Sequence, residues 1–151
     1  MWTFVTLTDP AAEVRKLCGP DAVVETAGTV EMTLPAEPRS AGIARRYVHG
    51  RWQQLDGDAM DDIELIVCEL VSNAVRHGRP DIILRLQVSP FAVDVAVVDH
   101  GPDLPPTELP HADGAATSGR GLGIVDRLAN RWGVAEHDDA PGKTVWATVR
   151  R

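Results

Sequence analysis

Residues 63–78 read IELIVCELVSNAVRHG. Ile63, Val67, Leu70, Val71 and Ala74 recur at helical spacing, so one side of this segment needs a partner layer to bury it. The other side carries Glu69, Asn73 and His77 at four-residue intervals, with Ser72 and Arg76 alongside. Followed backwards, the same stripe reaches Leu65 and Ile66, which are apolar. The spacing therefore predicts a largely buried helix that is polar only over its last two turns. Arg76 and His77 suit any wet helix C-terminus. Asn73 does not, because asparagine lowers helix propensity and so implies a use for its side chain. A carboxylate and a carboxamide one turn apart can grip a hydrated cation and orient a hydroxyl beside it. Magnesium accepts such sparse oxygen ligation when phosphates complete its shell.

The rest of the chain supplies the partner layer. DPAAEVRKLCG reads as a short helix with Asp9 as cap, Pro10 at its first position and Gly19 beyond its end, after a weakly alternating WTFVTL. TVEMTL alternates as a half-buried strand does, and Pro35 stops it. PRSAGIARRYVHGRWQQL places Ala41, Ile43, Ala44, Tyr47, Val48 and Leu55 along one helical face. The long helix is stopped by Gly78 and Pro80, and IILRLQV and FAVDVAVV then read as paired strands. Residues 101–121 have no apolar period and are expected to form a loop. GIVDRLANRWG is expected to form a helix closed by Gly133, and VAEH and KTVWATV, joined by DDAPG, a closing hairpin. Helices first, then strands with one more helix, predict an α+β fold: a two-layer sandwich of helices on a mixed, mainly antiparallel sheet.

Two further pieces carry chemistry. In VDVAVVDHGPD, Asp99 ends an apolar strand and Gly101 follows it. A carboxylate there can accept from an exocyclic amine such as adenine's, while Gly101 lets a ligand approach the backbone; a plain Asp-Gly turn would look the same. In SGRGLGIVDRLANRWG, Gly119, Gly121 and Gly123 lead into a helix whose free N–H groups favour anions, or form a hinge. Neither this run nor PGKT is a nucleotide fingerprint of the dinucleotide or P-loop kind, since Ile124 and His137 stand where glycine is required.

The net charge of −7 over 151 residues argues against direct nucleic-acid binding, which needs a basic face. No apolar stretch has the length of a membrane span, and no signal peptide is evident. Cys18 and Cys68 form no disulfide framework or metal cluster, which leads us to expect a cytoplasmic protein.

Taken in order, ELVSNAVRHG, DHG and GRGLGIV resemble the N-box and the two glycine boxes of the GHKL, or Bergerat-fold, ATP-binding superfamily of gyrase, heat-shock chaperones and histidine kinases. Within it the chain is most similar to anti-sigma factor serine kinases and their small ATP-binding relatives. The resemblance spans about Thr29 to Val149, giving an ATP-binding domain over residues 29–151 and an N-terminal extension over 1–28. It implies ATP and Mg²⁺ as ligands. Asn73 would bind the metal, Asp99 the adenine amine, and Gly101 would lie against the base. Gly119, Gly121, Leu122 and Gly123 would wrap the phosphates, Thr144 would help Asp99 through water, and Glu69 would be the general base. This chain departs from the family in having Asp103 where a second glycine usually stands, and in an acidic, proline-rich lid.

The function implied is a serine-protein kinase that holds a sigma factor and phosphorylates an anti-anti-sigma (STAS-type) antagonist. The alternative is a nucleotide-gated binding module with no kinase activity. Relatives of this kind are often homodimers. No dimerisation helix with a phospho-acceptor histidine precedes the module, which speaks against a detached histidine-kinase domain.

Overall fold

A computed structural model describes residues 9–77, 79–101 and 120–151. WTFVTL, Gly78, the loop acids and Gly119 lie outside the described residues.

The first helix, α1 (Pro10–Cys18), begins where the sequence says it should. Asp9 Oδ1 accepts from the Ala11 N–H at 3.0 Å, and Pro10 occupies the first turn, where no N–H is needed. Gly19, at φ 112°, ends it by donating its N–H to the Arg15 carbonyl. Strand β1 (Val23–Thr26) and β2 (Thr29–Leu34) form a hairpin closed at Gly28, whose φ of 75° is the left-handed value such turns need. The sequence pattern missed β1, whose VVET has only one buried residue. Helix α2 (Arg39–Arg51) stops short of the expected Leu55. Trp52 caps it by donating to the Val48 carbonyl, and Leu55 is instead buried in the turn that follows. Gly50 leaves room for α1: a methyl carbon there would lie 3.1 Å from Pro10 Cβ.

Helix α3 (Gly57–His77) carries the apolar stripe, and Ile63, Ile66, Val67, Leu70, Val71 and Ala74 are all buried. It packs beneath α2 and against β3 (Ile82–Val88), β4 (Ala92–Asp99) and β6 (Lys143–Arg150). The sheet order is β1-β2-β3-β4-β6-β5, with β5 at Arg131–Glu136. Every described strand pair is antiparallel, so the α+β sandwich holds and the expected parallel component is absent among the described residues.

The last third corrects two expectations. Helix α4 runs Arg120–Leu128, with Gly121 and Gly123 inside its first turns and not ahead of it. It ends five residues before Gly133, which lies within β5. Gly133 is required there by crowding: a methyl carbon would lie 2.8 Å from the Trp146 ring on the neighbouring strand. Asn130 and Trp132 reinforce the break between helix and strand. Asn130 Oδ1 accepts from the Arg150 N–H, and Trp132 Nε1 donates back to Asp126.

Candidate functional site

The end of β4 and the start of β6 meet through strand register. Val93, Val95, Val97 and Asp99 share the buried face of β4, and Lys143, Val145, Ala147 and Val149 share that of β6. Asp99 and Lys143 are cross-strand partners, so both side chains emerge on the helix-covered face. Lys143 Nζ donates to Asp99 Oδ1 at 3.0 Å, and each side chain is only 1% exposed. The same oxygen accepts from the Gly101 N–H at 2.9 Å, which fixes the carboxylate plane. Gly101 is itself buried. The sharp turn into β6 is made possible by Gly142, at φ 140°, where a methyl carbon would lie 2.5 Å from the Asp99 carbonyl oxygen.

Alternation along β6 gives Thr144 a different place from the one expected. It lies opposite Val98 and Ala135, on the other face from Asp99, and its hydroxyl bonds His137 Nε2 at 3.0 Å. The residue brought to Asp99 is Lys143, which sequence reasoning had passed over. A signal existed: Lys143 is in phase with the buried Val145, Ala147 and Val149, and a charge in that phase needs a buried partner.

The second meeting is between α3 and α4. Gly121 lies so close to Glu69 that a methyl carbon on it would fall 2.6 Å from Glu69 Oε2. The first turn of α4 thus covers the polar stripe of α3. Its Leu122 side chain is buried in the core, anchoring the turn, while the amides of Gly121, Leu122 and Gly123 belong to the N–H groups that a helix start leaves without carbonyl partners. Gly123 has open space around it.

Between these contacts the polar stripe holds unspent bonding capacity. Asn73 is buried, and among the described residues neither its Nδ2 nor Nε2 of His77, one turn on, has a hydrogen-bond partner although both atoms are buried. A buried polar atom without a partner costs about 1–3 kcal/mol, so its retention calls for a ligand. Among the described residues no cluster of three His, Cys, Asp or Glu could hold a metal by itself. Asn73 Nδ2 is a donor and would be met by an acceptor such as a phosphate oxygen, which leaves the carboxamide oxygen as the atom that could face a cation. Two surface hollows lie elsewhere, one near Phe91, Asn130 and Arg150 and one near His49, Leu55 and Met60, and neither contains a residue of the stripe.

Helices on one face of an antiparallel sheet, with a polar stripe facing a glycine-bearing helix start, define an α+β sandwich of the nucleotide-binding kind. The sequence profile of the histidine kinase-like ATPase domain matches residues 34–149, and the chain belongs to that family. Among solved structures it is similar to the RsbU and RsbW domains of a Mycobacterium tuberculosis protein, with TM-score 0.62 and 22% identity over 82% of this chain. The chain spans 32% of the length of that protein, and the likeness is one of fold. A histidine kinase domain from the Erythrobacter litoralis blue-light-activated histidine kinase aligns over 93% of this chain and 72% of its own length, at 16% identity and TM-score 0.46. No curated protein matches the chain. No described helix is long and apolar enough to cross a membrane.

Proposed function

We propose that residues 29–151 bind Mg-ATP and act as a serine-protein kinase of the anti-sigma type. The observation that carries this reading is the packing of Gly121 onto Glu69, one turn from a buried Asn73 whose carboxamide nitrogen has no partner among the described residues. A domain that only bound nucleotide would not need a carboxylate under the first turn of α4. The membership in the ATPase family supports the nucleotide, and the likeness in fold to the mycobacterial RsbU and RsbW domains supports the anti-sigma assignment.

In this reading the side-chain oxygen of Asn73 holds Mg²⁺, which supplies charge neutralisation to the phosphates. Asp99 accepts from the adenine amine and Gly101 lies against the base. The amides of Gly121, Leu122 and Gly123, with Gly119, take the phosphate oxygens at the positive end of α4. Glu69 takes the proton from a serine hydroxyl of the partner as that oxygen bonds to the γ-phosphorus and ADP departs. Positioning and charge neutralisation do most of the work in such a transfer. The partner is a STAS-type anti-anti-sigma protein; its new charge drives it off and leaves the kinase free to hold a sigma factor in the cytoplasm.

The test is transfer of labelled γ-phosphate, with magnesium, to an anti-anti-sigma protein. Wild type should label a serine, and Glu69→Gln should slow transfer by about 100-fold or more while ATP binding is retained, as loss of a general base does. Equal rates in the two proteins would remove Glu69 from the chemistry. Tight ATP binding with no label on the partner would favour a nucleotide-gated binding module.

A further inference from the structure

We infer that Lys143 is a base-reading residue: its ammonium donates to ring N1 of an adenine whose amine is held by Asp99. The inference rests on the reading that an adenine nucleotide docks at Asp99. Three observations carry it. Strand register places Lys143 and Asp99 opposite one another on the helix-covered face. Both are almost fully removed from solvent, and their bond is 3.0 Å. Finally, Asp99 Oδ1 already accepts from two donors, the Gly101 N–H and Lys143 Nζ. A further donor is then best met by Oδ2.

An ammonium has three N–H donors, and Asp99 engages one of them. A buried ammonium gains from each additional acceptor, because its desolvation is costly. For holding β4 to β6 alone, two apolar side chains would serve as well as a buried ion pair. The pair does offer something that apolar residues lack, a donor and an acceptor side by side. The Watson–Crick edge of adenine presents the complement, an amine donor next to the acceptor N1. Guanine docked in the same pose would turn a carbonyl oxygen toward the carboxylate and an N–H toward the ammonium. Both contacts are repulsive, so the pair selects adenine. Thr144, on the opposite face, has no part in this contact.

The experiment compares ATP with its 1-deaza analogue, in which N1 is replaced by C–H, by calorimetry on the full chain and on Lys143→Met. Wild type should bind the analogue about 10-fold or more weakly, as expected for loss of a hydrogen bond to a charged donor. Lys143→Met should bind both nucleotides alike. Equal affinities in wild type, or a penalty that persists in Lys143→Met, would overturn the inference while leaving the nucleotide site standing. Failure of wild type to bind ATP at all would instead sink the nucleotide reading beneath it. Should Lys143→Met not fold, the ¹⁵Nζ resonance of Lys143 in wild type decides. It should shift with ATP and stay in place with the 1-deaza analogue; the same shift with both would overturn the inference.

Discussion

Glu69 and Gly121 touch across two helices, with no room for a single added carbon between them. The contact places the carboxylate beneath the first turn of α4, and the absence of a side chain at residue 121 is what allows it.

Gly121→Ala should separate stability from chemistry. The new methyl meets the far end of a flexible side chain, which can swing aside, and alanine improves helix propensity by up to about 1 kcal/mol. Thermal stability should therefore change by no more than about 1 kcal/mol. Under the proposed chemistry, phosphate transfer should fall by about 10-fold or more, since small displacements of a reacting group are costly. Unchanged transfer with a displaced Glu69 would show that its position does not matter.

The buried pair should behave non-additively. Asp99→Ala leaves an ammonium buried without its partner and Lys143→Met leaves a carboxylate, each costing about 3–5 kcal/mol. The double variant should lose clearly less than the sum, measured by urea unfolding. Simple addition would mean that the two charges do not stabilise one another in the folded state.

Gly142→Ala should be destabilising by about 1–3 kcal/mol, because both the left-handed backbone and the neighbouring Asp99 carbonyl oppose a side chain. Gly57→Ala, where nothing lies within 4 Å, is the control and should stay within about 0.5 kcal/mol of wild type.

Tyr47 predicts a response to alkali. Its hydroxyl donates to Glu25 on β1, beside Arg51, which lies 3.4 Å from the same carboxylate. Burial first, and then the Glu25 hydrogen bond, hold the phenol well above the usual tyrosine range. The folded state thus keeps a proton that the unfolded chain gives up near pH 10. The contribution is complete below about pH 10 and is lost progressively as pH climbs toward the folded value. Denaturation midpoints should fall above about pH 10, and the fall should be shallower in Tyr47→Phe.

Much of this architecture was legible because apolar phase and turn chemistry agreed. Asp9, Pro10 and Gly19 bounded α1, and alternation in TVEMTL, IILRLQV and FAVDVAVV marked strands. The misreadings have a common cause. Gly133 looks like a helix stop in one dimension, yet the Trp146 ring that demands it arrives from a strand thirteen residues later. Motif likeness points to Thr144, whereas face is set by counting in twos along β6, and that count brings Lys143 to the side of Asp99. The stripe on α3 needed only a period of four, so Glu69, Asn73 and His77 could be grouped from the sequence. The lack of a partner for Asn73 Nδ2 and His77 Nε2 among the described residues could not, because burial comes from what packs around them.

The amino-terminal hairpin and α1 have a practical implication for anyone trimming this chain to its family-matched span. Cutting at residue 34 would remove α1, β1 and nearly all of β2, since the matched span opens only on the last residue of that strand. The border of the sheet would then be β3, whose Ile82, Leu84 and Leu86 are now fully covered. Tyr47 would lose Glu25, and Arg46 its link to Glu13. An unguarded edge of that kind invites chains to add to one another, so the shortened product should precipitate where the longer one stays dispersed.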